Sequence, residues 1–471
     1  MKVAVLGGGV SGLASALALA RDGHEVALIE RDRICVGEPL ESPAWPRRGI
    51  PHFLQAHAFT CRGRRELKTR FPDVFDALID AGADDIPLWP KLHGEHRPED
   101  NELAILGVRR PLMEWALRQA VVAEGMGIES GVSVEGLIGD PSPTPVVRGV
   151  QTTTGRIEAD LVVDALGRRS PVSRWIDSLD GTPMTEDSSE CGVIYYTRYY
   201  RIREGETLPD GPWVPTPRGD LGYGLFSSFP GDNGTFAALI AIPPGDPDLK
   251  ILRHNAAFDA AVSLIPTLYS WTNPDTSAPF TDVLPMGSLQ NTLRTFVNGR
   301  PSAIGIVSVG DALCHTDPVF ALGLSYGLIQ ATELASALRQ CGSDVEAATL
   351  AFDAAVRPSL NERYRFAAAF DDLRQRMWAG EPIDIGRHDG GAYPLFTMAA
   401  GGAAALVDDD VFRTVVRRNY FLDPLSVLDD DVAMQERIER IFAELRATPR
   451  PAPGPPRDEM LTTMRAALAA A

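Results

Sequence analysis

The sequence predicts an α/β unit with a parallel sheet, interrupted by an antiparallel sheet and followed by a helical C-terminal region. Three observations predict it. Residues 3–30 read as a complete strand, glycine-rich turn, helix and second strand; residues 191–295 hold strand-like runs separated by Pro, Gly and Asp; and residues 303–313 return to a short apolar strand before a mostly helical remainder. At 471 residues, with 44% hydrophobic and 23% charged, the chain exceeds the reach of one core and reads as two or three globular domains.

In the opening stretch Val3, Val5 and Leu6 form the strand, and Gly7, Gly9 and Gly12 then give G-x-G-x-x-G where the helix should begin. Gly7 permits the tight turn, Gly9 lets the backbone approach a pyrophosphate, and Gly12 lets the helix pack close to the strand. Phosphates would sit at the helix N-terminus, where free N–H groups and the dipole favour an anion. Arg21-Asp22-Gly23 stops the helix, and Val26 to Ile29 make the second strand. It ends in Glu30, 18 residues beyond Gly12. A carboxylate there accepts hydrogen bonds from both ribose hydroxyls and repels a 2′-phosphate, as suits FAD or NAD. The combination reads as a Rossmann-like start rather than a merely Gly-rich turn. The three glycines and the early Arg21-Asp22 also argue against a secretion signal.

Composition excludes other classes. With 63 acidic and 45 basic residues the formal net charge is −18, which argues against nucleic acid or an anionic membrane surface as a partner. The longest nearly apolar run, residues 396–407, is too short to span a bilayer, so the expectation is a cytoplasmic protein with no membrane span. Five scattered cysteines without C-x-x-C or His clusters indicate neither a disulfide framework nor a metal site.

Residues 31–52, rich in Pro, Arg and Gly, should be a long loop near the nucleotide. Within it Arg48, beside Arg47, is a candidate for the pyrophosphate, a solvated surface pair being the equal alternative. Residues 53–78 look helical, and residues 84–102 look irregular or strand-like. Arg110-Pro111 starts another helix, with Arg110 favoured for phosphate. The resulting organisation is a discontinuous nucleotide-binding domain (1–80, 105–185 and 298–345), a β-sheet substrate domain (81–104 and 186–297), a helical region (346–448), and a Pro-rich linker with a terminal helix (449–471).

A second motif follows the returning strand: Gly310-Asp311-Ala312, then Pro318, and Gly323-Leu324 opening a helix. Asp311 at the strand end can hold a ribityl hydroxyl, and Gly323 with the helix from Leu324 would aim free N–H groups at the pyrimidine edge of a flavin. A capping Asp and a Pro turn is the bland alternative for this stretch alone. With the opening motif, the chain resembles the FAD-dependent monooxygenases of the para-hydroxybenzoate-hydroxylase-like superfamily over roughly residues 1–338. RRGIPHFLQAHAF, VRRPLMEWAL, DLVVDALGRRSPVSRW, GVIYYTRYYRI and GDALCHTDPVFALGLS look closest to natural-product flavin epoxidases and hydroxylases of polyether type.

The resemblance implies FAD held by Gly7, Gly9, Gly12, Glu30, Arg48, Arg110, Asp311, Pro318, Gly323 and Leu324. It implies electrons from NAD(P)H or a flavin reductase, and one oxygen atom passed from O2, through a flavin C4a-hydroperoxide, to an apolar small molecule by epoxidation or hydroxylation. The alternatives are an FAD oxidoreductase without oxygen transfer, such as a double-bond reductase or dehydrogenase, and a flavin-dependent halogenase. Three departures stand out: Asp164-Ala165-Leu166-Gly167 replaces a D-G motif that positions flavin and NAD(P)H; Trp213-Val214-Pro215 does not substitute for the halogenase W-x-W-x-I-P; and Lys91 is a poor candidate for the halogenase lysine.

Such chemistry needs an apolar, water-excluding pocket rather than a catalytic triad. Alternation puts Tyr195, Thr197 and Tyr199 on one strand face and Tyr196, Arg198 and Tyr200 on the other, without deciding which lines the pocket. The candidate pocket set is Tyr195, Thr197, Tyr199, Tyr223, Phe226, Phe236, Met286 and Phe320, although apolar strand residues are more often ordinary core. His315 is a candidate base or polar contact near the flavin, an ordinary loop histidine being the commoner case; Asp317 shares that ambiguity, and His52 and His57 could approach the cofactor without their spacing deciding it.

Overall fold

The computed structural model describes residues 1–34, 47–211, 213, 215–448 and 451–471. Strand β1 (Lys2–Leu6), helix α1 (Val10–Arg21) and strand β2 (Glu25–Glu30) form the expected opening unit, whose apolar residues are almost wholly buried. Helix α2 (Cys61–Arg70) and helix α3 (Arg110–Ala123) follow, then β3 (Ile128–Ser130) and β4 (Leu161–Asp164). The second sheet is built from β5 (Ile194–Ile202), β6 (Leu225–Pro230), β7 (Thr235–Ile242) and β8 (Leu284–Met286), with α4 (Asn255–Ser263) and α5 (Pro266–Thr272) between the last two. The chain then returns through β9 (Ile306–Ser308) to α6 (Gly323–Cys341), α7 (Val345–Trp378) and, near its end, α8 (Arg457–Ala470).

The first sheet is parallel, in the order β9-β4-β1-β2-β3. Its registers set Leu6 beside both Ile29 and Asp164, and Asp164 beside Ser308, so the carboxyl ends of four strands lie level. Helix α6 crosses α1 with almost no separation: a Cβ on Gly327 would sit 2.4 Å from Ser11 Oγ. That contact delivers the loop before α6 to the glycine turn.

The second sheet is antiparallel, with β7 between β5 and β6 and with β8 also pairing β5. One face carries Tyr196, Tyr200, Phe226 and Phe236, which pack with α4, α5 and Met460, Leu461 and Met464 of α8 into one apolar layer. The terminal helix therefore docks. Phe236 and Tyr200 stack there at 5.5 Å between ring centroids. The opposite face, with Tyr195, Thr197 and Tyr199, turns toward the parallel sheet.

Local expectation and structure differ in several places. The stretch expected as one helix over 53–78 is a turn followed by α2 and a separate helix, Pro72–Asp80. Pro72 has no N–H to continue α2 and keeps Phe71 out of the helical region, at φ −134° and ψ 54°, so the helix must restart. A small antiparallel sheet, Val134–Asp140, Val146–Thr152 and Gly155–Glu158, was not expected, because its half-exposed strands are interrupted by glycines and by register shifts. Among the described residues, no helix is long and apolar enough to cross a membrane.

Candidate functional site

The level carboxyl ends of β1, β2, β4 and β9 open on a cavity of about 430 Å³, at the edge of a parallel sheet where loops and helix N-termini converge. Of the predicted cofactor residues, Gly7, Gly9, Glu30, Arg48, Arg110, Asp311, Pro318, Gly323 and Leu324 all line it. Residues three hundred positions apart are thus brought to one wall. Gly12 stands behind the wall: a Cβ there would meet Gly7 O at 1.8 Å, so only glycine lets α1 seat on the turn. Gly7 itself has φ +103°, a conformation that L side chains rarely adopt. Gly9 is extended and offers no capping side chain, which leaves the first N–H groups of α1 open to an anion.

Glu30 is buried and firmly held. Its two oxygens accept from Gly8 N at 2.8 Å and Asp32 N at 2.7 Å. Beneath it Arg47 ion-pairs with Glu30 at 3.2 Å, Asp32 at 3.3 Å and the fully buried Glu114 at 2.5 Å. The structure therefore separates two neighbouring arginines: Arg47 is internal, while Arg48 is exposed at the cavity. Glu114 also accepts from Arg110 Nε at 2.7 Å. Burial opposes its charge, but Arg47 and Arg110 together hold its carboxyl below the usual range. Arg109 turns the other way, to Asp232 in the β6–β7 connection at 2.7 Å, and ties the start of α3 to the antiparallel sheet.

Arg110 donates to His52 Nε2 at 2.9 Å. Burial and that guanidinium keep the His52 imidazole well below its ordinary pKa. His57 Nδ1 bonds Gln55 O at 2.7 Å, and burial, with Arg110, brings its pKa down to about 4. His315 Nδ1 lies 3.5 Å from Asp311 Oδ2. Against its burial, that contact holds the Asp311 carboxyl well below the usual range.

Asp164, the altered motif, is fully buried and accepts from Ser170 Oγ at 2.7 Å, Ser308 Oγ at 3.0 Å and Leu166 N at 3.0 Å. It straps the ends of β4 and β9 and sets Leu166, Gly167, Arg168 and Arg169 on the cavity wall.

At the far end the strand face becomes clear. Tyr195 donates its hydroxyl to Asp317, and Tyr199 donates to Gln55 O at 3.1 Å. These two tyrosines, with Thr197 buried between them, hold the loops on either side of the cavity rather than lining it. Tyr223, Phe226 and Phe236 are corrected likewise: they pack on the opposite face with α4, α5 and α8. Phe320 points into α7, edge-on to Phe366 at 5.7 Å and Phe370 at 5.2 Å. Met286 does line the cavity, and so does Phe229, which the sequence reading missed. Alternation could have found it, since Phe229 lies three residues after the core-facing Phe226 and so on the other face. Lys91 pairs with Asp210 and does not line the cavity; Trp213 belongs to the core behind the sheet, and Val214 lies outside the described residues.

The loop carrying Asp317 is fixed by a buried charge cluster that no sequence motif announced. Asp317 and Asp371 both pair with Arg374 at 2.8 Å, and Asn291 bridges the two, donating to Asp371 at 2.7 Å and accepting from Asp317 N at 2.7 Å. Burial and the Asp317 charge push Asp371 up to about 9, so it is protonated, while Arg374 holds Asp317 ionised against its burial.

Comparison with known proteins agrees with this geometry. Residues 2–51 match the family model described as FAD dependent oxidoreductase. The chain is 26% identical over 375 residues to Protein Rv3254 of Mycobacterium tuberculosis, covering 71% of this chain and 72% of that one. Among solved structures it is similar to the flavin-dependent brominase Bmp2 (TM-score 0.60, 18% identity, 95% of this chain and 99% of that chain). It is also similar to PqsL of Pseudomonas aeruginosa, described as a probable FAD-dependent monooxygenase (0.58, 14%, 81% and 98%). A third likeness is to 2-methyl-3-hydroxypyridine-5-carboxylic acid oxygenase (0.54, 19%, 84% and 97%). The fold is therefore that of the FAD-dependent monooxygenases, and the cofactor is FAD. The residues present fit it: the Gly7 turn at φ +103°, the extended Gly9 at the start of α1, and the buried Glu30.

Proposed function

We propose that this FAD-dependent oxidoreductase is a monooxygenase that transfers one oxygen atom from O2 to a small molecule, by epoxidation or hydroxylation in natural-product tailoring, in the cytoplasm. One observation carries the reading: a single cavity runs from the glycine turn and Glu30, past Asp311 and the start of α6, to Met286 and Phe229 on the antiparallel sheet. Bound FAD supplies the redox and oxygen chemistry. The chain's own part is to bind, orient and keep dry. Gly9 and the α1 N-terminus take the pyrophosphate, with Arg48 and Arg110 beside it; Glu30 takes the ribose, and Asp311 the ribityl chain. Gly323 and Leu324 present backbone N–H groups to the isoalloxazine, and Pro318 bounds it. Tyr195 and Tyr199 close the sheet against the loops and exclude water from the reacting end.

The test is an anaerobic titration of the FAD-loaded protein with NADPH and NADH, with and without a flavin reductase, followed by air and mass analysis of products. Bleaching by the nucleotide alone supports self-sufficient reduction; bleaching only with the reductase supports a two-component enzyme. Gain of one oxygen by a substrate supports the proposal. Gain or loss of two hydrogens supports the oxidoreductase alternative, and a halide requirement supports halogenation.

A further inference from the structure

Beneath the nucleotide end of the cavity runs an unbroken chain of buried contacts between alternating charges. Glu30 Oε2 pairs with Arg47 Nη2 at 3.2 Å, Arg47 Nη1 with Glu114 Oε2 at 2.5 Å, and Glu114 Oε1 with Arg110 Nε at 2.7 Å. Arg110 Nη1 then donates to His52 Nε2 at 2.9 Å. The middle of the chain is closed to solvent and ligand alike: the Glu114 side chain is 0% exposed and that of Arg47 2%. Its ends are open, since Glu30 and Arg110 both line the cavity. Three protein donors, Gly8 N, Asp32 N and Arg47 Nη2, meet the Glu30 carboxylate, which offers about four accepting positions. Arg110 Nη2 has no acceptor among the described residues, and it stands 3.3 Å from where a Cβ on Gly9 would be, beside the start of α1.

Helix α3 puts Glu114 at the centre of this chain. It stands one turn after Arg110 and one turn before Arg118, so the three share a helix face, with Arg118 Nη1 at 3.9 Å. Its two oxygens serve different arginines: Oε1 takes Arg110, and Oε2 takes Arg47 from the loop after β2. A fully buried carboxylate needs such pairing, and each guanidinium is aimed in turn by the fork it makes.

We infer that Glu114 is a positioning residue that couples two cofactor contacts, aiming the Arg110 guanidinium at the diphosphate and, through Arg47, holding the Glu30 carboxylate for the ribose. The adenosine and the diphosphate of FAD are then recognised as one unit. Members of a buried polar network act together, so breaking any link loosens both contacts. Glu114 itself reaches the cofactor only through the two arginines. The inference rests on the contacts proposed for Glu30 and Arg110, and not on the oxygen-transfer reaction.

The test is a double-mutant cycle on the dissociation constant of FAD, read from flavin fluorescence, with ADP as a competitor that carries both contacts and no flavin. Glu30→Gln and Arg110→Lys should each weaken FAD and ADP by about 10-fold or more. Together they should fall short of the product of their separate effects by about 5-fold or more, because either one already breaks the chain. Glu114→Gln turns an amide donor toward one guanidinium. It should weaken FAD and ADP by about 10-fold, keep the bound-flavin absorbance unchanged, and abolish the shortfall. Arg47→Lys keeps the charge but gives up the fork between Glu30 and Glu114; it should abolish the shortfall too, and it carries the test if Glu114→Gln does not fold. A purely structural role would lower the Tm of Glu114→Gln and leave the shortfall in place. A cycle that simply multiplies in otherwise unaltered protein overturns the inference, as does a shortfall that survives Glu114→Gln or Arg47→Lys. If Glu30→Gln and Arg110→Lys each leave both constants unchanged, the assigned contacts fall and the inference with them. Both constants are read without turnover, so the outcome is separate from that of the monooxygenase reading.

Discussion

The two ends of the cavity are built on different principles. The adenosine end is set mainly by backbone: the Gly7 turn, the extended Gly9 and the Gly12 contact with Gly7 O place the N–H groups, with Glu30 accepting from Gly8 N. The far end is a side-chain device, in which Tyr195, Tyr199, Asp317, Asp371 and Arg374 hold loops from distant parts of the chain. A backbone device tolerates almost no added atom. A side-chain device tolerates change wherever the altered group was already neutral or doubly supported.

The sharpest test of that contrast sets Asp317→Asn against Asp371→Asn. The first leaves Arg374 buried without its ionised partner and should cost about 4 kcal/mol in urea unfolding. The second replaces an already protonated acid by an amide and should cost under about 1.5 kcal/mol. The sign of the pH effect separates them further. Because its folded pKa is raised to about 9, Asp371 contributes stability that is fully present below pH 3.8 and is lost as pH rises through about 9, so the asparagine variant should flatten the alkaline limb.

Phe236→Ala should cost about 3–4 kcal/mol by opening a cavity behind the sheet, yet leave flavin content and the bound-flavin spectrum unchanged. A changed spectrum would mean that the two faces of the sheet are not independent. Gly12→Ala should cost roughly 3 kcal/mol through overpacking of α1 on the turn and, unlike Phe236→Ala, should strip FAD from the protein. Retained flavin would break the claim that this end is a backbone device.

Acid exposes the histidines. His57 has a folded pKa of about 4 against an unfolded value of 6.5, so folding excludes its proton. Stability should fall as pH drops from about 6.5 through 4, by up to roughly 3 kcal/mol, and His57→Gln should remove that part of the acid slope. The smallest effect is expected for Tyr199→Phe, about 1 kcal/mol, because Gln55 O keeps its bond from His57.

How much could be read beforehand follows from the same contrast. Gly7, Gly9, Gly12, Glu30, Asp311 and Gly323 were legible because local sequence determines them: a turn needing φ +103°, a helix start, and the last residue of a strand are all short-range consequences of residue type. Alternation along β5 likewise split its tyrosines correctly into two faces. It could not say which face met the parallel sheet, since that depends on where α4, α5 and α8 pack. Only the tertiary structure decided that Tyr223, Phe226 and Phe236 are core, that Tyr195 and Tyr199 are struts, and that Arg47 and Arg48 part company. Asp371 stands three residues before Arg374 on α7, a spacing the sequence shows, but nothing local marks Asp317 as the partner of Arg374. The sequence by itself determined the parts whose geometry is set within one turn of the backbone; packing between distant elements decided the rest, because burial and charge pairing belong to neighbours in space.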